Sequence, residues 1–192
     1  MRKAKIERKT AETDISVELN LDGTGKSEIS TSIGFLDHML TLFAFHGSFD
    51  LKIKCTGDIS VDDHHTVEDI GIALGQAFNS ALGDKKGIKR YSSRYIPMDE
   101  SLCNVVLDIS NRPYLVFNVD FERGKLGDIS TQSFKEFFRA FVNEARVTLH
   151  INLMYGENDH HKIEAIFKAF SRVLKEGVDI ISDNVSSSKG VL

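Results

Sequence analysis

Residues 63–69 read DHHTVED and residues 159–165 read DHHKIEA. One spacing, Asp-His-His-x-x-Glu, thus occurs twice: Asp63, His64, His65 and Glu68, then Asp159, His160, His161 and Glu164. These clusters hold four of the seven histidines. Each opens an apolar run of helical period. Ile70, Ala73, Leu74, Ala77 and Phe78 continue the first, and Ile163, Ile166, Phe167, Phe170, Val173 and Leu174 continue the second. Apolar residues three and four apart predict an amphipathic helix. Asp63 and Asp159 stand where N-caps are expected. Each His-His-x-x-Glu therefore belongs to the first turn of a helix.

On a helix, positions i and i+4 share a face, which sets His64 over Glu68 and His160 over Glu164. The second histidine of each pair is turned away by about 100° and addresses something else. A His and a Glu one turn apart can chelate one ion, with the neighbouring His aimed at a second. Imidazole plus carboxylate without thiolate suits Mn, Fe, Ni or Zn. A single motif would read as a polar helix start facing solvent. Two copies with identical spacing favour metal.

Outside the motifs, the 192 residues carry 41% hydrophobic side chains, enough for a substantial core, and a net charge of −4. That charge gives no reason to expect nucleic acid or an anionic membrane as partner. Cys55 and Cys103 match no zinc or redox spacing and read as buried free thiols of a reducing compartment. The first residues, MRKAKIERKTAETD, lack the apolar run of a signal peptide, and no stretch is long and apolar enough to span a bilayer. A cytoplasmic location is the expectation.

Read in order, residues 1–21 predict two strands broken near Thr10–Thr13, with Ile15, Val17, Leu19 and Leu21 on one face. Asp22-Gly23-Thr24-Gly25 predicts a hairpin turn and 26–33 its return strand. Leu36, Met39, Leu40 and Phe43 mark a helix that ends at Gly47 and carries His38 and, at its close, His46. Residues 49–56 alternate as a strand before the first motif helix. After Gly83, DKKGIKRY is basic and turn-like, the expected joint between a half at 1–86 and a half at 87–192. Strands are then expected at about 102–109 and 113–120, a Gly-containing turn at 124–127, and a helix over 132–146 with Phe134, Phe137, Phe138, Phe141 and Val142 inward. Next come a strand at 147–155, the second motif helix to near Gly177, and an aperiodic tail. Gly71 and Gly75, four apart on the first motif helix, read as a close-packing face.

Each half thus runs strands, helix, strand, loop, motif helix, and from His64 to His160 is 96 residues, half the chain. The fold class is a duplicated α+β unit, with sheets packed against paired helices. Differences between the copies then become informative. His38 has no counterpart on the second leading helix. His150 lies out of phase with Leu149 and Ile151 on its strand, where the first half has Lys52 or Lys54.

Together GFLDHMLTLFAFHG, DDHHTVEDIGIALGQAF, PMDESL, NRPYLV, TLHINLMYGENDHHKIEAIFKAF and the closing SSKGVL make the chain resemble the imidazoleglycerol-phosphate dehydratase family of histidine biosynthesis, in the family's order over nearly its whole length. The resemblance implies a duplicated fold like the second domain of ribosomal protein S5, two Mn ions per active site and a 24-subunit assembly built from trimers. It implies His38, His65, His160 and Glu164 on one ion, and His64, Glu68, His150 and His161 on the other. It assigns substrate contacts to Glu12, Arg90, Arg112, Ser187, Ser188 and Lys189, besides the motif residues. The chemistry it implies, dehydration of a glycerol side chain, removes a proton from a carbon with no carbonyl beside it. The imidazole ring must then act as electron sink. A carboxylate must handle the proton, and Glu12 is the first choice, with His46 and Glu68 after it. Two other classes compete. A phosphoesterase of the Asp-His-His type would have aspartate-rich strand ends where this chain has His38 and His150. A metal buffer or RNA-binding module would need no phosphate site, and RNA binding would call for basic clustering.

Overall fold

The computed structural model describes residues 2–192. The first half comprises β1 (Lys3–Lys9), β2 (Thr13–Asn20), β3 (Ser27–Ser30), α1 (Gly34–Gly47), β4 (Asp50–Gly57) and α2 (His64–Leu82). The second comprises β5 (Tyr91–Met98), β6 (Ser101–Asp108), β7 (Tyr114–Asn118), the short pair β8 (Lys125–Leu126) and β9 (Ile129–Ser130), α3 (Thr131–Ala145), β10 (Thr148–Tyr155) and α4 (Asp159–Gly177). The sheet orders are β1-β2-β4-β3 and β5-β6-β10-β7, the same topology twice.

Alternation along the strands sends one face of each sheet into the core. Ile15, Val17, Leu19, Leu51, Ile53 and Cys55 do so in the first sheet, and Cys103, Val105, Leu107, Leu149 and Ile151 in the second. The helices lie between the sheets. α2 covers β1, β2 and β4 and packs on α3, while α4 covers β5 and β6 and packs on α1. Exchanging the halves exchanges these two helix pairs, so the chain has an approximate internal two-fold. The expected junction at 86–87 lies in the segment joining α2 to β5, and one hydrophobic cluster runs through both halves. Its centre is aromatic: Phe138, Phe141, Phe167 and Phe170 stack within 5.0–5.3 Å. All five side chains expected inward from α3 are buried.

Two strand expectations need correction. Asp22–Gly25 does not fold β3 back onto β2. β3 pairs parallel with β4, on the far edge of the sheet, while Asp50 Oδ1 accepts the backbone N–H of Thr24 and of Lys26 and ties down the turn. The β3–α1–β4 segment is a crossover unit, for which parallel pairing is the rule, and β7–α3–β10 repeats it. The basic stretch is also followed by a strand that alternation did not reveal. Ser92, Ser93, Arg94 and Pro97 dilute the pattern of β5, which is an edge strand where proline is tolerated.

Gly71 and Gly75 set the approach of α2 to α3. A Cβ on Gly71 would stand 2.6 Å from the Phe137 carbonyl oxygen, and one on Gly75 2.6 Å from that of Phe141. Gly71→Ala and Gly75→Ala are each expected to destabilise by about 1–3 kcal/mol, because overpacking against backbone outweighs the ~1 kcal/mol gained in helix propensity. Urea unfolding checks this, and a rise in stability on either change would contradict the close-packing role.

Candidate metal and phosphate site

The motif helices begin where expected, but their aspartates do not cap them. Asp62 Oδ1 accepts the His64 N–H and Asn158 Oδ1 accepts the His160 N–H. Asp63 and Asp159 are buried and turned toward the segment between β7 and α3. Asp63 accepts from the Ser130 N–H, and Asp159 from the Glu122 and Arg123 N–H groups and from Lys162 Nζ at 2.8 Å. The preceding residue has the freedom to cap because it is exposed, whereas the motif aspartate satisfies buried loop backbone.

Both helical pairs form. His160 Nε2 lies 3.1 Å from Glu164 Oε2, and His64 Nε2 3.4 Å from Glu68 Oε2. α1 packs against α4 and brings His38 Nε2 to 3.7 Å from the same Glu164 oxygen. His38, His160 and Glu164 thereby offer three donor atoms, all within 4.8 Å of one another. Glu164 divides its oxygens: Oε2 faces the two histidines and Oε1 accepts from Lys168 Nζ at 2.6 Å. Burial raises the Glu164 carboxyl pKa, but Lys168 and His160 together outweigh it and hold the group below its ordinary value. A buried carboxylate kept ionised between an exposed and a half-buried imidazole fits a divalent cation with mixed N/O donors. Lys168 is a member of this site that motif reading passed over, although its i+4 spacing from Glu164 was there to be read.

The other expected ligands stand apart from this group in the single chain. The Glu68 of the second pair also faces Arg139, 3.7 Å away. Counted from the first residue of each leading helix, Lys135 of α3 occupies the place of His38, so the second pair gains no third imidazole by symmetry. His65 and His161 turn away from their neighbours, as the 100° argument requires. His65 Nδ1 lies 2.9 Å from Asp58 and His161 Nδ1 2.7 Å from Glu100, and these hydrogen bonds raise both imidazole pKa values. His150 is half-buried on the outer face of β10, between the inward Leu149 and Ile151. His46 lies two turns beyond His38 along α1, about 12 Å away. Burial first, then Lys168 and Arg172, lower its pKa. Glu12 sits in the β1–β2 turn, its side chain exposed, with Oε1 3.8 Å from His65 Nε2.

The basic residues gather at the opposite end of α4. Arg90 donates its backbone N–H to the Gly177 carbonyl, grips Asp108 through Nε at 2.7 Å and Nη2 at 3.2 Å, and donates Nη1 to the Ser186 carbonyl. Its guanidinium also stacks on Tyr91, 4.5 Å from the ring centre. Arg112, largely exposed, lies 3.8 Å from the same Asp108. Arg90 thus fixes the tail one residue before Ser187, Ser188 and Lys189. Cys55 and Cys103 are buried and unpaired, far from either cluster in role: burial pushes both thiols up to about 12.

A family model described as imidazoleglycerol-phosphate dehydratase matches residues 31–174, which span the leading helices and both motifs. The chain belongs to the imidazoleglycerol-phosphate dehydratase family. The imidazoleglycerol-phosphate dehydratase of Clostridioides difficile is 72% identical over the full length of both chains. That of Caldicellulosiruptor saccharolyticus is 58% identical over 189 residues, 98% of this chain and 97% of that one. Among solved structures, the dehydratase of Staphylococcus aureus matches with a TM-score of 0.84 at 47% identity, covering 93% of this chain and 99% of that one. The Pyrococcus furiosus enzyme, solved in complex with (S)-C348, matches with a TM-score of 0.85 at 40% identity over 97% of this chain and 100% of that one. The duplicated α+β architecture is therefore the architecture of the dehydratase family.

Proposed function

We propose that this protein dehydrates imidazoleglycerol phosphate to imidazoleacetol phosphate, a hydro-lyase step of histidine biosynthesis, with two Mn ions per active site. The observation that carries the reading is the convergence of His38, His160 and Glu164, brought from two helices of different halves to one point. In this reading His65 completes that set, and His64, Glu68, His150 and His161 form the second. A cation on a ring nitrogen supplies Lewis-acid stabilisation of charge pushed into the imidazole. Glu12, exposed beside His65, takes the proton from carbon. Arg112 and Lys189 bind the phosphate with the Ser187 and Ser188 hydroxyls. Arg90, engaged with Asp108 and the tail, contributes its charge and holds those groups in place.

One chain does not assemble all this. From Glu164 to Gly177, where Arg90 is anchored, α4 rises about 20 Å. That exceeds the length of a short glycerol chain with an imidazole at one end and a phosphate at the other. A site that takes its metal ligands and its phosphate ligands from different copies would close this gap, which favours a symmetric homo-oligomer such as a 24-mer built from trimers. Among the described residues no helix is long and apolar enough to cross a membrane, and the buried, unpaired cysteines suit the cytoplasm.

The deciding assay follows imidazoleglycerol phosphate and imidazoleacetol phosphate with the metal-stripped protein, before and after Mn is added. Product formation only with Mn supports the reading, and turnover of a phosphodiester instead would replace it. Lys189→Ala is expected to raise KM strongly while metal content stays intact, because an exposed tail ammonium contributes to phosphate binding and to nothing in the core. An unchanged KM in a protein cut after residue 185 would remove the tail from the phosphate site.

A further inference from the structure

Each half sets a carboxylate against the Nδ1 of its second motif histidine: Asp58 Oδ2 at 2.9 Å from His65, and Glu100 Oε2 at 2.7 Å from His161. An ionised carboxylate only accepts, so the nitrogen facing it carries the proton, and in the neutral imidazole the lone pair is on Nε2. Neither Nε2 has a hydrogen-bond partner among the described residues; the nearest acidic oxygens, of Glu12 and Asp99, are each 3.8 Å away. We propose that Asp58 and Glu100 are positioning residues that hold His65 and His161 as Nδ1–H tautomers and so present Nε2 as the ligating atom to a divalent cation. The inference rests on the metal reading above and adds the groups that orient two of its ligands.

The two carboxylates do not come from equivalent places. Glu100 immediately precedes β6 and Glu12 immediately precedes β2, the corresponding strand of the first half. By duplication Glu100 is therefore the counterpart of Glu12. In the second half this one residue does everything locally. It orients His161 and accepts the backbone N–H groups of Glu157 and Asn158 at the start of α4. In the first half Asp58, from the loop after β4, takes the histidine instead. Its backbone N–H donates to the Glu12 carbonyl, which ties loop to turn, and its Oδ1 is buried with no partner, so its one side-chain hydrogen bond is to His65. Glu12 is thereby relieved of orienting the imidazole and stands free beside Nε2. The division of labour explains why one of two duplicated glutamates is available for proton transfer and the other is not.

The test uses full-length, metal-stripped protein titrated calorimetrically with Mn, as parent and as Asp58→Asn, Asp58→Ala and Glu100→Gln. Loss of an orienting carboxylate is expected to weaken Mn binding by about 10- to 100-fold. Asp58→Asn should suffer less than Asp58→Ala, because the amide oxygen still accepts. Thermal melting of the metal-free protein should be unchanged in Asp58→Asn and Glu100→Gln, since glutamine can still accept the α4 backbone N–H groups; a purely structural role would lower melting and leave affinity alone. If Asp58→Ala does not fold, Asp58→Asn decides. A parent that takes up no Mn overturns the metal reading and this inference with it. A parent that binds Mn, with folded variants that bind it equally well, overturns this inference alone.

Discussion

Glu12→Gln is expected to bind substrate and to lower kcat by about 10²- to 10⁴-fold, the usual worth of a positioned general base. The change keeps size and hydrogen bonding and removes only the basic oxygen. Glu12 is suited to the task by what it lacks. Its side chain is about half exposed, and its contact with His65 is a loose 3.8 Å. The turn around it is nevertheless fixed, with its N–H donated to Thr10 Oγ1 and its carbonyl accepting from Asp58. A free carboxylate on a held backbone suits proton transfer. The other two groups considered from the sequence are less suited. Glu68 is shared between His64 and Arg139, and His46 lies about 12 Å along α1 from His38. Steady-state kinetics on Mn-loaded protein settle the matter. Near-normal kcat in Glu12→Gln would move the proton to another group.

Chelation is expected to break a large particle into a smaller oligomer, and Mn to restore it. Among the described residues a single chain gathers His38, His160 and Glu164 within reach of one ion. Its remaining imidazoles lie elsewhere, with His150 on an outer sheet face, and in the proposed reading further ligands come from a neighbouring copy. Ions bound only by the assembled form stabilise it by mass action. The ligands must be deprotonated to bind, so acid should act as chelation does. Sedimentation velocity with and without chelator reads the outcome directly. A stripped protein of undiminished size would mean that the ions do not join subunits and that each site is completed within a preformed unit.

Much of the site was legible because helical periodicity is local. The i, i+4 pairing of His160 with Glu164 and of His64 with Glu68 follows from 3.6 residues per turn, and the structure reproduces both. The inward phenylalanines of α3 follow from the same rule. What escaped depends on chain path. β3 was expected beside β2 because a Gly-rich turn separates them, yet the crossover through α1 carries it to the far side of β4. Asp63 and Asp159 have the composition of caps, but loop backbone 67 and 36 residues away along the chain claims their oxygens. Asp58 has no sequence signature at all, since it meets His65 only through the turn of the loop after β4.

The sequence by itself determined the duplication, the helices that carry the histidines, which of those histidines pairs with which glutamate, and the family. All of these are properties of spacing along the chain. Only the tertiary structure decided how α1 brings His38 against His160 and Glu164, that Asp58 and Glu100 face the outward histidines, and that Arg90 is anchored about 20 Å from the metal set. These contacts join segments as far apart as His38 and Glu164, well over half the chain, and their geometry is set by how the helix pairs pack between the two sheets, which no local period encodes.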